Sequence, residues 1–200
     1  MKITAKEKIQ KQLEKKGRGW AFSAQDFLAK MNRSDIDTAL FQLEKEGKIR
    51  RLIRGIYDYP RYSDLLRKYV AADLDQVAKA IARNFGWRIQ PTGNAALNYF
   101  RLSTQVPAKT IYLSDGASRD FQIEGRTISF KKASRKDFEP RDSESRLMVQ
   151  AIRTLGDNIL VPETQDRVRR CFDSAQWRRV RQDTVDVPAR IHKLICRLGS

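Results

Sequence analysis

FSAQDFLAKMNRSDIDTALFQLEKEGKIRRLIRGIYDYP, residues 22–60, reads as two short helices joined by a tight turn and followed by a β-hairpin. Ser23 is a good N-cap, because its hydroxyl accepts from the unpaired N–H groups of a first turn, and Phe27 and Leu28 face a core. Asn32-Arg33-Ser34 breaks the helix and offers Ser34 as the next cap. Ile36, Ala39, Leu40 and Leu43 then recur at helical spacing, and Gly47 stops the second helix at its C′ position, where a left-handed backbone needs no Cβ. Residues 48–53 and 56–59 are short β-prone runs separated by Arg54-Gly55, a hairpin turn. Together these parts predict a winged helix-turn-helix.

Its wing presents Lys48, Arg50, Arg51 and Arg54, cations that suit a phosphate backbone because each neutralised phosphate releases counterions. The second helix offers Arg33, Ser34, Thr38, Gln42 and Lys45 towards base edges or phosphates. That helix is also acidic. Asp35 and Asp37 fall in its first turn, where the helix dipole favours carboxylates, and Glu44 and Glu46 fall near its far end, so none of them has to meet DNA. A winged helix that docks a protein, with wing arginines serving as a charged sheet edge, is the competing reading. The first helix, residues 4–16, turns Ile9 and Leu13 inward and Lys6, Lys8, Lys11, Lys15 and Lys16 outward.

Forty Lys and Arg against 24 Asp and Glu give the 200 residues a formal net charge of +16, which makes an anionic partner the default expectation. The charge is spread, with 14 basic and 8 acidic residues among the first 60 and 26 and 16 in the rest. No stretch approaches the roughly 18 consecutive apolar residues of a membrane span, and no apolar signal core opens the chain. Double-stranded DNA is therefore expected as the partner, with no membrane. Cys171 and Cys196 are far apart and lack metal-ligand spacing, so no disulfide framework, metal or cofactor is expected and a reducing cytoplasm fits.

An expected boundary at residues 60–63 divides a winged domain, 1–60, from a mixed α/β domain with a small sheet and several helices, 61–200; the fold class is α+β. Ser63 can cap a helix carrying Leu65, Leu66, Tyr69 and Val70, and residues 73–85 form another, stopped by Gly86. A small helix follows Pro91-Thr92; residues 109–113, 119–123 and 126–131 read as strands, the last two around Glu124-Gly125. Helices capped by Ser143, opened by Pro162 and beginning at Pro188 complete the chain. Gly93-Asn94 and Asp115-Gly116 are read as turns, since neither has a phosphate-loop pattern.

Two blocks resemble a known family. Residues 90–98, QPTGNAALN, followed by LSTQVPAK at 102–109 and YLSDG at 112–116, are similar to AbiEi-type antitoxins of bacterial type IV toxin–antitoxin systems, as is the winged segment ending in Arg54-Gly55-Ile56-Tyr57. The resemblance covers most of the first 130 residues. It implies an N-terminal domain that represses its own operon through promoter inverted repeats, and a C-terminal domain that counteracts a nucleotidyltransferase-type toxin without requiring a stable complex. A stand-alone regulator with no toxin partner is the alternative within the same family. The polar loop Ser103-Thr104-Gln105 is a candidate meeting place for such a partner.

A second basic region, Arg167, Arg169, Arg170, Arg178, Arg179 and Arg181, is interleaved with Phe172 and Trp177. It reads either as a further nucleic-acid surface or as the solvated faces of two amphipathic helices. The single histidine, His192, leaves no Ser-His-Asp or Cys-His arrangement, and the Gly-Ser pair with spaced aspartates of a nucleotidyltransferase is missing, so no enzymatic activity is expected.

Overall fold

Thr4 and Glu7 start the first helix with a reciprocal capping box, the Glu7 carboxylate accepting the Thr4 N–H at 2.8 Å and the Thr4 hydroxyl accepting the Glu7 N–H at 3.3 Å. The computed structural model describes residues 3–103, 109–134, 138 and 140–200. Its elements run α1 (Ala5–Lys16), β1 (Ala21–Ser23), α2 (Arg33–Lys45), β2 (Arg50–Ile53), β3 (Ile56–Asp58), β4 (Tyr62–Ser63), β5 (Lys68–Tyr69), α3 (Leu74–Phe85), β6 (Ile89–Pro91), α4 (Gly93–Tyr99), β7 (Lys109–Ser114), β8 (Arg119–Ile123), β9 (Arg126–Lys132), α5 (Ser143–Leu155), α6 (Pro162–Arg169), α7 (Ser174–Asp183) and α8 (Ala189–Leu198). The fold is α+β. It divides into two compact units, Met1–Ile89 with Arg119–Ser129 and Gln90–Ser118 with Phe130–Ser200.

In the first unit, α1 and α2 close over a small antiparallel sheet of order β1-β3-β2, in which Phe22 and Arg51 both face Tyr57 across the ladder. Ile9, Leu13, Phe22, Phe27, Ile36, Leu40, Leu43 and Ile49 form the core. Phe22 stacks on Trp20 at 5.1 Å and meets Phe27 edge-on at 5.7 Å, so the aromatic rings fix the angle at which β1 enters. Gly47 and Gly55 take left-handed backbones, at φ +68° and +81°, where the sequence places a helix stop and a hairpin turn.

Three local expectations change. Ser23 caps only a single 3-10 turn, Ala24–Phe27, rather than a helix, and Leu28 stays exposed. The cap of α2 is Asn32, whose side chain accepts the Asp35 N–H at 2.9 Å; this draws Ser34 into the first helical turn. Around Ser63 the chain forms the β4–β5 hairpin, not a helix. Tyr62 and Tyr69 pair edge-to-face at 5.4 Å, Ser63 accepts the Leu66 N–H, Arg67 takes a left-handed φ of +47°, and Leu65 and Leu66 are left exposed.

The first unit runs past residue 60 because α3 buries Val77, Ala78 and Ile81 and packs on β1. Asp73 caps α3 and Gly86 ends it. Arg83 fastens it further, its guanidinium meeting the Asp26 carboxylate at 2.6 Å and the Ala21 carbonyl at 2.9 Å.

In the second unit β6 neighbours β7, and β7 neighbours the last residues of β9, with Tyr112 stacked on Phe130 at 6.0 Å. Helices α4 to α8 gather around Phe100, Met148, Ile152, Val168, Trp177 and Ile195. Asp142, not Ser143, caps α5 by accepting the Glu144 and Ser145 N–H groups, and Phe172 lies beyond the end of α6. Thr104 and Gln105 of the expected partner loop, with residues 106–108 of the antitoxin-like block, lie outside the described residues.

Gly93, which reads in sequence as a turn residue, opens α4 where that helix presses against α5. A Cβ there would overlap the Thr154 hydroxyl and come within 3.4 Å of the Gln150 carbonyl. Gly93→Ala is therefore expected to destabilise the protein by about 1–3 kcal/mol through overpacking, and Thr154→Ala in the same chain should recover part of that loss. Urea midpoints of the two variants check this; an unshifted midpoint for Gly93→Ala means the helices do not press together.

Candidate nucleic-acid interface

The basic residues of the first unit separate into those held by carboxylates and those that are not. Arg50 is held. Its Nε and Nη2 form a fork on Asp58 at 3.1 and 2.7 Å, Nη2 also reaches the Val70 carbonyl at 3.2 Å, and Nη1 meets Glu124 at 2.8 Å. Asp58 is 2 % exposed, and its hydrogen bonds raise the Arg50 pKa further despite partial burial, so the guanidinium remains a structural cation. This withdraws Arg50 from the wing cations expected to meet phosphate. Lys48 is partly neutralised in turn, because Glu46 takes it at 3.1 Å together with Lys6, and both lysines hold the Glu46 carboxyl below the usual carboxylate range.

The guanidinium groups of Arg51 and Arg54, by contrast, form no hydrogen bond or ion pair among the described residues, and both residues are exposed. Strand alternation explains the difference: Arg50 faces Asp58 across the ladder and Arg51 faces Tyr57, on the other side of the pleat. On α2, Arg33 is paired with Asp37 one turn on, at 2.8 Å, with both side chains more than half exposed. Ser34, Thr38 and Lys45 share one exposed stripe of that helix, and Gln42 is exposed beside it. The same stripe carries Phe41, 65 % exposed, a residue the sequence does not single out because no spacing rule assigns an aromatic to an outer face.

Arg33, Arg51 and Arg54 line a groove of about 790 Å³ that continues to Phe85 at the end of α3 and to Arg119 and Phe121 on β8. The Arg119 guanidinium lies over the rings of Phe121 and Phe85, at 5.1 and 5.6 Å, and Phe85 stacks on Trp87 at 4.7 Å. Cations beside partly exposed rings offer phosphates and bases what each requires, charge for one and a flat face for the other. Arg119, Phe85 and Phe121 are not legible in sequence as site residues, because the fold alone brings β8 beside the hairpin. A second hollow in this unit, about 480 Å³, is walled by Lys8, Lys11, Lys15 and Lys16 of α1 together with Lys30.

The arginines of the second basic region have different surroundings. Arg169 donates to the Leu198 and Arg197 carbonyls and Arg181 to the Gly199 carbonyl, so these two satisfy the end of α8. Arg178 and Arg179 are exposed on α7, while Arg167 and Arg170 line a separate pocket with Arg101. His192 lies 3.4 Å from the Thr184 hydroxyl and 3.5 Å from the Cys196 sulfur. Among the described residues no three His, Cys, Asp or Glu side chains gather into a metal-binding group. No described helix is long and apolar enough to cross a membrane.

The division between held and unheld arginines has a stability signature. Arg50→Ala is expected to cost about 1–3 kcal/mol, less than a fully buried pair because the guanidinium is partly exposed, while Arg51→Ala and Arg54→Ala stay within about 0.5 kcal/mol. Chemical denaturation of the three variants checks this, and equal losses at all three positions would contradict it.

No curated protein matches the chain. A family described as "Family of unknown function (DUF6088)" matches residues 8–179, and the chain belongs to that family.

Proposed function

We propose that the protein is a DNA-binding transcriptional autorepressor whose first unit is a winged helix-turn-helix. The observation that carries this reading is the combination, in one unit, of an exposed α2 stripe and hairpin arginines that have no acidic partner among the described residues. Helix α2 is the reader, with Thr38, Phe41, Gln42 and Lys45 towards the major groove; Phe41 suits a thymine methyl and Gln42 an adenine edge. The β2–β3 hairpin is the wing, and Arg51, Arg54 and Arg119 supply phosphate contacts that raise affinity without reading sequence. The order of helix, strand, turn, helix and hairpin supports the assignment, with a 3-10 turn standing where a fuller helix is usual. Two copies occupy an inverted repeat in the protein's own promoter.

The likeness to AbiEi-type proteins adds a physiological role, that of the antitoxin of a bacterial type IV toxin–antitoxin system, with the second unit opposing a nucleotidyltransferase-type toxin. This part rests on the resemblance and not on the geometry. The exposed Asp35, Asp37 and Phe41 on α2 favour one other reading, in which the same helix docks a basic, partly apolar protein surface.

Titration onto the protein's own upstream DNA and onto scrambled DNA, near physiological salt, separates the readings. Preference for its own promoter by about a thousandfold or more is expected of a repressor; equal affinity for both sequences overturns it. Arg51→Ala with Arg54→Ala should weaken binding to every sequence and flatten the salt dependence by about one slope unit for each phosphate no longer neutralised. Gln42→Ala should instead relax the preference at a single base pair, and a uniform loss across sequences removes it from the reading face.

A further inference from the structure

Arg101, Arg167, Arg170, Tyr99, Phe100 and Cys171 line a pocket of about 560 Å³ in the second unit, a size ordinary for small-ligand sites. Among the described residues its charged lining is all cationic. Arg101 and Arg170 are exposed and form no hydrogen bond or ion pair through their guanidinium groups among the described residues, and Arg167 gives one bond, at 3.2 Å, to the Arg101 carbonyl. Arginines near helix ends often serve to satisfy carbonyls, as Arg169 and Arg181 do at α8. Arg101 and Arg170 are not used in that way.

The backbone at Arg101 supplies a second, independent observation. The end of α4 is a Schellman turn, in which the Arg101 N–H reaches the Asn98 carbonyl at 3.0 Å and the Leu102 N–H reaches the Leu97 carbonyl at 2.8 Å. Arg101 occupies the position that glycine normally takes, with φ +54°, so an arginine stands where its Cβ is disfavoured. The Arg167 bond to its carbonyl holds that peptide in place. Tyr99 is half exposed, with its ring set edge-on against Phe100 at 5.1 Å. Burial raises the Cys171 thiol, so it remains protonated at neutral pH and presents no competing negative charge.

We propose that this pocket is a binding site for a small phosphate-bearing anion, held by the guanidinium groups of Arg101, Arg167 and Arg170. Planar guanidinium groups form paired hydrogen bonds to phosphate oxygens, and an anion relieves the repulsion among like charges gathered at one concavity. Tyr99 offers a ring face for whatever group carries the phosphate. All the described residues of the site belong to the second unit, and the proposal does not depend on the nucleic-acid reading of the first.

Isothermal titration of the full-length protein at low salt, with inorganic pyrophosphate, ADP and adenosine as probes, tests the site. Saturable binding of pyrophosphate is expected, with Kd raised about tenfold or more in Arg101→Gly and in Arg170→Gln. The Arg51→Ala, Arg54→Ala double variant should bind as the unaltered protein does, which separates this site from the first unit's own affinity for anions. Arg101→Gly guards against misfolding, because glycine suits the left-handed position and its thermal midpoint should not fall. Equal affinity for pyrophosphate and ADP identifies inorganic phosphate as the ligand chemistry; tighter ADP binding that Tyr99→Leu abolishes identifies a phosphate ester. Pyrophosphate binding that the pocket variants leave unchanged, absence of saturable binding, or adenosine binding as tightly as ADP overturns the proposal.

Discussion

A single guanidinium, that of Arg50, gathers segments of the first unit that lie far apart in sequence. It takes Asp58 from its own hairpin and Glu124 from the β8–β9 turn. Glu124 also accepts the Ala72 N–H at 2.9 Å, and Arg126 returns a bond to the Ala72 carbonyl at 2.6 Å. Asp58 is thereby held by a two-bond fork and Glu124 is shared among several donors, the condition under which a partly buried ion cluster stabilises and does not merely cost desolvation. The chain leaves the first unit after Ile89 and returns at Arg119, and this cluster receives it on return. Glu124 thereby ties the end of β8 to the hairpin whose groove Arg119 helps to line.

The same cluster explains how neighbouring arginines acquire opposite roles. Arg50 and Arg51 are adjacent in sequence and chemically identical, yet the period-two alternation of a strand turns one to Asp58 and leaves the other to solvent. In the second unit, Arg169 and Arg181 satisfy the terminal carbonyls of α8, whereas the guanidinium groups of Arg178 and Arg179 form no hydrogen bond or ion pair among the described residues. A net charge of +16 therefore overstates the cation available to a partner. The relevant quantity is the set of cations for which the fold provides no anion.

Features encoded by contiguous residues are legible in the sequence. Helix periodicity locates α1, α3 and the inward face of α2, and the left-handed demand at Gly47, Gly55 and Gly86 locates their stops and a hairpin. Single-residue capping is less secure: Asn32 and Asp142 each cap one or two residues ahead of the expected serine, because an amide or carboxylate reaches the free N–H groups as well as a hydroxyl does. Residues 62–70 mimic a helix in sequence because Leu65, Leu66, Tyr69 and Val70 match that spacing, while the cross-strand tyrosine pair that selects a hairpin leaves no periodic trace. Of the candidate interface, Arg51 and Arg54 of the hairpin and the outer face of α2 are legible, while the pairing that holds Arg50 is not. Arg119, Phe85 and Phe121 are not, since long-range packing brings them together.

Backbone strain gives a way to rank what remains. Three described non-glycine residues adopt left-handed backbones: Arg67, Arg101 and Glu124. Such a residue costs about 1 kcal/mol relative to glycine, so its side chain must contribute something or the surrounding turn must demand the conformation. Glu124 contributes visibly, through Arg50, Arg126 and the Ala72 amide. Arg67 closes a short exposed hairpin, where turn geometry is explanation enough. Arg101 closes a helix that glycine would close at lower cost, and its guanidinium forms no hydrogen bond or ion pair among the described residues. What sets it apart from Arg67 is the company of Arg167 and Arg170 around one pocket, a concentration of positive charge that no carboxylate among the described residues pairs with.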